Sequence, residues 1–469
     1  MPSAQRLYAP PSKPCKQHIS NHPLERFDRM EKQNSELLER LRQQYEKAPY
    51  PRFPLDKLPT DDPALLFKHY LANAYYLRNQ SIPSSEGKII LDAGCGSGYK
   101  ALMLAHCNPG AKIIGVDLSE KSTHLAKERL NYHGFSNAEF YSLSIEELAS
   151  LGRQFDYINC DDVLYILPDR IAALRAMKSV LKPEGIIRAN LHSSLQRSPY
   201  FRAQEVFARM ALMDGNPREL EIEIVRETMK ALKDDVQLKM VAWNETFEAS
   251  EEPILVNYLL IGDRGFTIPE MFSILEETGL EFIDMLDWRT WQLETLFREP
   301  DNLPLFLGLS IPGLSRSEEL ALFELLQPNH RLLDFCCGHP GQAQTFLPVD
   351  EWSQTTWQHA QVRLHPHLKT AALEAALIGS AVRLEMLIIS DYLPISQGSV
   401  AIDSAAAAAL LPLIEGPQTV NAMVDRWLKL QPLNPIALTP YQPQDILEIL
   451  IQTLTNLERS GYIFLENKL

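Results

Sequence analysis

The chain has 469 residues, 45% hydrophobic and 22% charged, the balance of an ordinary soluble globular protein with two or three domains, which excludes a disordered, fibrous or collagen-like chain. Lys plus Arg number 45 against 60 Asp plus Glu, and the formal charge of −15 repels phosphate, which excludes a general DNA or RNA coat. Six cysteines (Cys15, Cys95, Cys107, Cys160, Cys336 and Cys337) show no C-x-x-C spacing, the pattern expected of free thiols in a reducing compartment.

The first twenty residues are rich in Pro, Ser, Lys and Gln and lack the apolar stretch of a secretory signal. No uninterrupted apolar run reaches the roughly 18 residues that cross a bilayer, so the expected location is cytoplasmic with no membrane partner. Residues 1–24 read as a loose tail. Leu24–Lys47 reads as a solvent-facing amphipathic helix, with Leu37, Leu38, Leu41 and Tyr45 at helical spacing, broken by Tyr50-Pro51-Arg52-Phe53-Pro54. A second helix is expected over Asp62–Arg78.

From Lys88 short apolar runs alternate with helical segments, as in βαβ units. Strands are expected at Lys88–Leu91, Lys112–Val116, Ala138–Tyr141, Phe155–Asn159 and Gly185–Asn190, with helices at about 99–106, 119–133, 145–151 and 169–181. This predicts a doubly wound, Rossmann-like α/β core. Residues 193–264 break the rhythm with charged amphipathic segments and read as a helical insertion. The core pattern resumes with Thr267 as a cap, Pro269 in the first turn, a helix to Thr278, Gly279 as its stop and a strand at Glu281–Trp288. The core is therefore expected to close near residue 300. Glu299–Pro304 reads as a linker, and residues 301–469 as a C-terminal α+β region. Its end, from about residue 403, has a winged-helix-like outline: helix-turn-helix, a further helix and the extended Tyr462–Leu465.

The strongest chemical signal is Ile89-Ile90-Leu91-Asp92-Ala93-Gly94-Cys95-Gly96-Ser97-Gly98-Tyr99, an apolar strand running into an acid and three alternate glycines. Glycine permits the sharp strand-to-helix turn and a close ligand approach, beside the free N–H groups of a helix start. Ile113-Ile114-Gly115-Val116-Asp117 places a carboxylate at the end of strand two, 19 residues past Gly98, where ribose hydroxyls are gripped. The pattern is G-x-G-x-G with Asp92 ahead of it, not the G-x-G-x-x-G of dinucleotide sites, which disfavours a nicotinamide-dependent oxidoreductase.

D-A-G-C-G-S-G, V-D-L-S, F-D-Y-I-N-C-D-D-V-L-Y and L-K-P-E-G-I-I resemble, in order and spacing, the motifs of class I S-adenosylmethionine-dependent methyltransferases. The resemblance covers about residues 85–192 and 265–290 and implies S-adenosylmethionine as cofactor, with residues 85–300 as the methyltransferase domain and residues 1–84 as a tail and helices covering it. It implies that Asp92 orders the glycine loop or meets the methionine amino group, and that Gly94, Gly96 and Gly98 face the ligand. Asp117 would take the ribose hydroxyls, Leu118 would flank the adenine, and Ser144 and Ile145 would touch its edge and face. Asp161 would lie near the methionine moiety and the transferred methyl, and Arg78 would pair with the methionine carboxylate.

Candidates for catalysis are Asp161, Asp162, Tyr165 and His192, with a base needed only where the acceptor carries a proton. Tyr165 stands where many small-molecule relatives carry histidine. The Asn-Pro-Pro-aromatic signature of enzymes that methylate bases and glutamine amides is missing. Cys95 and Cys160 read as buried fillers, since no flanking cation favours their thiolates.

Arg331–Gly341 superficially repeats the glycine motif, but His339-Pro340 breaks the helix start and no acid-ended strand follows. Adjacent Cys336 and Cys337 do not fit a zinc chelate, and no metal is expected. Residues 403–469 hold four basic and seven acidic residues, which fits dimerisation, peptide docking or support of the cofactor domain rather than DNA contact. The expected function is methyl transfer, with a protein or peptide side chain slightly favoured over a small-molecule acceptor because more than 200 residues lie beyond the minimal core. The alternative class is a non-catalytic cofactor-binding regulatory protein. A homodimer through the C-terminal region is the expected assembly.

Overall fold

The structure, a computed structural model, describes residues 23–344, 346–396, 398–434 and 437–467; the tail expected over residues 1–24 lies outside the described residues up to residue 22. Helix α1 (Pro23–Lys47) comes first, followed by α2 (Pro63–Lys68) and α3 (Leu71–Asn79). The single helix expected over Asp62–Arg78 is interrupted at His69–Tyr70. Asn108, from a distant helix end, accepts from Leu71 N at 3.0 Å and donates to His69 O at 2.9 Å, so a tertiary contact pins the break.

Five strands, β1 (Ile89–Ala93), β2 (Lys112–Asp117), β3 (Glu139–Ser142), β4 (Phe155–Cys160) and β5 (Leu181–Ser193), alternate with α4 (Tyr99–Cys107), α5 (Glu120–Tyr132) and α6 (Arg170–Val180). They pair in parallel in the order β3-β2-β1-β4-β5. Residues 145–151, expected as a helix, form a 3-10 turn opened by a Ser144–Glu147 capping box. Central β1 reads as an apolar run because both sheet faces are covered.

Helices α7–α11 (Ser198–Arg209, Glu219–Ala231, Gln237–Ala242, Glu245–Ala249 and Glu252–Asn257) build the insertion around their own core of Phe207, Val225, Phe247 and Tyr258. Strand β6 (Gly265–Phe266) pairs with the end of β5. Helix α12 (Ile268–Thr278) starts at the Thr267–Glu270 capping box and stops at Gly279, whose φ is +63°, and β7 (Glu281–Met285) follows.

The sheet does not close near residue 300. After α13 (Leu305–Ser310) and α14 (Arg316–Leu326), strand β8 (Leu332–Gly338) enters between β5 and β7, antiparallel to both. The apparent second glycine motif is thus an interior strand of this same sheet, next to its β7 edge and buried from Leu333 to Gly338. A fully buried ion pair anchors it: Arg188 of β5 donates Nε to Asp334 Oδ1 at 3.0 Å and a terminal nitrogen to Oδ2 at 2.8 Å.

The remaining chain adds α15 (Gln354–His359), β9 (Gln361–Leu364), α16 (Ala371–Arg383), β10 (Leu387–Ile388), β11 (Ala401–Ile402), α17 (Ser404–Leu410), β12 (Gln418–Thr419), α18 (Val420–Leu430), α19 (Pro443–Arg459) and β13 (Ile463–Glu466). Strands β12-β9-β13 form an antiparallel sheet over a second core that includes Val362, Ala409, Trp427, Leu450 and Ile463. This region docks on the N-terminal helices, where Tyr76 donates its hydroxyl to Glu458 Oε1 at 2.9 Å. Among the described residues no helix is long and apolar enough to cross a membrane.

Candidate active site

Strand order reverses between β1 and β4, so the loops leaving them diverge and open a crevice at the carboxyl ends of the strands. The crevice holds a pocket that is partly open to solvent. Gly94–Gly96 form its floor, Asp117 and Leu118 follow β2, Leu143–Glu146 follow β3, and Asp161–Val163 follow β4.

The roof comes from the N-terminal segment. Leu38, Leu41 and Tyr45 of α1 line the pocket with Tyr50 and Pro51, and Leu41 is only 2% exposed, which corrects the expected solvent-facing helix. Ser97 straps this roof to the glycine loop by donating its N–H to Tyr50 O at 2.8 Å and its hydroxyl to Pro51 O at 2.7 Å. Arg129 of α5 adds bonds to Phe53 O and Pro54 O.

The glycines serve the chain's own packing as much as any ligand. A Cβ on Gly94 would lie 2.4 Å from Val163 Cγ2, and one on Gly96 would lie 2.2 Å from Tyr50 O. A Cβ on Gly98 would lie 2.5 Å from Ala126 Cα, and Gly98 is not on the pocket wall: it lets α4 approach α5 rather than facing a ligand.

Asp117 holds the glycine loop, its Oδ2 accepting from Gly96 N at 3.0 Å and its Oδ1 from Ser119 N at 2.9 Å. Burial nevertheless pushes its pKa up to about 6. Asp92 lies beneath the loop, buried and off the pocket wall, where Asn159 Nδ2 donates to its Oδ1 at 2.8 Å; burial lifts its pKa to about 7.

The other end of the pocket is an ion cluster. Lys100 Nζ, from the first turn of α4, is 2.5 Å from Asp161 Oδ2 and 2.8 Å from Asp162 Oδ2. Burial opposes ionisation of Asp161, but Arg188 and Lys100 overcome it and hold its carboxyl well below the usual range. Asp162 adopts a left-handed backbone with φ of +61°, a conformation aspartate tolerates better than most residues, and Asn190 Oδ1 accepts its N–H at 2.9 Å. That twist lets its Oδ1 accept from Tyr165 Oη at 3.2 Å and from Arg331 at 3.0 Å.

Gly94, Gly96, Asp117, Leu118, Ser144, Ile145 and Asp161 therefore meet in one pocket. Tyr165 and His192 stand behind the wall, their rings stacked with centroids 3.5 Å apart. His192 Nδ1 is 2.6 Å from the buried Asp263 Oδ1, and its Nε2 faces Arg331 at 3.1 Å, so both ring nitrogens are engaged. Burial pushes its pKa down to about 4 and keeps it neutral. Arg78 is not at the pocket. It donates to Glu184 O at 2.8 Å and Gly185 O at 3.2 Å, at the opposite end of β5, which corrects its expected pairing with a cofactor carboxylate. The residues missed were Lys100, Tyr45, Tyr50, Asp263 and Arg331. Of these only Lys100 carried a local signal, two positions past Gly98.

Burial pushes the Cys95 thiol well above its usual range and Cys160 likewise upward, in keeping with inert fillers. The five cysteines among the described residues are all unpaired.

Residues 84–252 match a methyltransferase-domain family model. A ubiquinone biosynthesis O-methyltransferase of Bordetella avium is 33% identical over 120 residues, 25% of this chain and 46% of that one, so the match spans less than half of the relative. An uncharacterized protein of Synechococcus sp. is 28% identical over 317 residues, 66% of this chain and 72% of its own. Among solved structures, PKMT2 from Rickettsia typhi in complex with AdoHcy shares the fold at a TM-score of 0.58 and 17% identity, over 86% of this chain and 76% of that one. The matched family model, the sheet order and the glycine loop together identify residues 84–252 as a methyltransferase domain, built on the fold that PKMT2 shares.

Proposed function

We propose that this pocket binds S-adenosylmethionine and transfers its methyl group to an acceptor, a protein or peptide side chain being favoured over a metabolite. The observation that carries the reading is the meeting of Gly94–Gly96, Asp117, Ser144–Ile145 and Asp161 around one cavity. The residues present fit the cofactor: the Leu118, Leu143 and Ile145 end suits a flat ring system, Asp117 suits two hydroxyls, and the charged end suits an amino acid. Bound there, the cofactor supplies a methyl group activated on a sulfonium.

Asp117 accepts the ribose hydroxyls while keeping its two backbone bonds, and Leu118, Ser144 and Ile145 flank the adenine. Asp161, held ionised in the free protein by Arg188 and Lys100, stabilises positive charge at the transfer end. Asp92 acts from beneath by ordering the loop. Tyr165 acts through Asp162, and His192 is a positioning residue behind Tyr165, since Asp263 and Arg331 occupy its nitrogens. Alignment and electrostatics then supply the catalysis.

The lean to a protein acceptor rests on the apparatus beyond the core, including the separately cored insertion and C-terminal region. The winged-helix-like reading of residues 403–469 rests on α17, α18, α19 and the closing strand β13, and dimerisation through this region is checked by light scattering. The experiment is calorimetric titration with S-adenosylmethionine and S-adenosylhomocysteine, then labelled-methyl transfer into a lysate split into protein and small-molecule pools. Binding with label in protein supports the reading. Label among small molecules replaces the acceptor class, binding without label supports a regulatory role, and absence of binding sinks the cofactor assignment to this pocket.

A further inference from the structure

The proposed cofactor carries an amino acid, with an α-ammonium and an α-carboxylate, at its transfer end. The pocket wall offers the acids Asp117, Glu146, Asp161 and Asp162, whereas Lys100 is the single cationic side chain lining it among the described residues. Arg78, the residue the sequence suggested for the carboxylate, is tied to carbonyls at the far end of β5.

Lys100 is placed to change partners. Its Nζ bridges Asp161 and Asp162, yet neither acid depends on it alone. Asp161 also has a terminal nitrogen of Arg188 at 3.5 Å and accepts from Asn190 Nδ2 at 2.5 Å. Asp162 also has Arg331 at 3.0 Å and the Tyr165 hydroxyl at 3.2 Å. Both acids therefore keep neutralising contacts when the lysine leaves, and its flexible four-carbon stem, rooted in the first turn of α4, lies on the pocket wall.

We propose that Lys100 is an exchangeable cation: in the free protein it occupies the position between Asp161 and Asp162 that an amino group takes when the cofactor binds, and in the loaded protein it pairs with the cofactor's carboxylate. The inference rests on the proposal that this pocket holds S-adenosylmethionine and adds to it the recognition of the amino acid end. The exchange conserves charge pairing, because one ammonium replaces another at the aspartates and the released one meets the only new anion. A site built this way discriminates against a ligand that brings the ammonium without the carboxylate, since Lys100 would then be displaced with no partner.

The test is calorimetric binding of S-adenosylmethionine and of decarboxylated S-adenosylmethionine to the full chain and to its Lys100→Met and Lys100→Arg variants. The parent is expected to bind the carboxylate-bearing ligand about tenfold or more tightly than the decarboxylated one. Lys100→Met is expected to erase that preference, because it removes both the carboxylate's partner and the ammonium that the decarboxylated ligand must displace, so the decarboxylated ligand binds the variant at least as tightly as the parent, and Lys100→Arg is expected to retain part of the preference. Equal binding of the two ligands by the parent overturns the assignment without recourse to any variant. A preference that survives in Lys100→Met, or an equal loss of both ligands, also overturns it. If the parent binds neither S-adenosylmethionine nor S-adenosylhomocysteine, the cofactor reading of the pocket fails as well, a result distinct from binding that ignores the carboxylate.

Discussion

Replacing Asp117 by asparagine tests the proposed ribose grip most directly. The carboxylate accepts from Gly96 N at 3.0 Å and Ser119 N at 2.9 Å, and its remaining lone pairs belong to the pocket. Asparagine keeps the shape, removes the charge and turns one acceptor into a donor, so a charge-assisted hydrogen bond worth about 1.5–3 kcal/mol is lost, roughly 10–150-fold in affinity. The carboxylate is the form that accepts from hydroxyls. Because burial pushes its pKa up to about 6, parental affinity for S-adenosylhomocysteine should fall as pH drops through 6, by at most about tenfold per unit, while Asp117→Asn shows no such slope. The stability sign runs the other way: a carboxyl with a raised folded pKa contributes fully below its ordinary value and loses that contribution as pH rises through about 6. In the free variant the relief of a buried charge at pH 8 is offset by one backbone N–H, of Gly96 or Ser119, left facing the amide nitrogen, so its melting temperature should stay within several degrees of the parent's, which separates weakened binding from damaged folding. Calorimetry at pH 8 and pH 5, with thermal unfolding of the free proteins, reads all three quantities. A variant that binds as tightly as the parent at pH 8, or a parent whose affinity is unchanged at pH 5, refutes the ribose assignment.

Leu41→Ala removes a buried roof contact worth about 2–3 kcal/mol, and it should loosen α1, weaken S-adenosylhomocysteine binding and speed tryptic cleavage at Arg40 and Arg42; unchanged cleavage argues against a roof held by this residue. Arg188→Met leaves Asp334 without its cation in the interior and takes one of two cations from Asp161, and should cost about 3–5 kcal/mol in urea unfolding, whereas a loss below about 1 kcal/mol shows that the pair does not hold β8 in the sheet. Gly98→Ala places a Cβ 2.5 Å from Ala126 Cα at a φ of +82° and should lower the melting temperature well beyond Gly87→Ala, where φ is +72° but no atom lies within 4 Å; equal effects would show that backbone strain alone, not helix packing, demands glycine at 98.

Local spacing made much of this protein legible. The alternation from Lys88 to Asn190 gave five parallel strands within a few residues of their observed ends, because each βαβ unit is built from neighbouring residues whose apolar period declares strand or helix. The same locality placed the glycine loop, Asp117 and Ser144–Ile145, since each follows a parallel strand at its carboxyl end, and the Thr267 cap and Gly279 stop of α12 were readable for the same reason. What tertiary structure alone decided depends on partners distant in the chain. Strand β8 returns antiparallel without a crossover helix to announce it, and its ion pair joins residues 146 apart. A charged amphipathic helix reads the same whether its apolar stripe meets solvent or a pocket, so only docking showed that Leu38, Leu41 and Tyr45 roof the site. Arg78 looked suited to an anion until its backbone partners placed it at the wrong end of β5, while Lys100 and Arg331 gained their roles from the left-handed turn at Asp162. Spacing along the chain encodes the face a residue presents within its own element; which group meets that face is set by burial and ion pairing among elements that the sequence does not order in space.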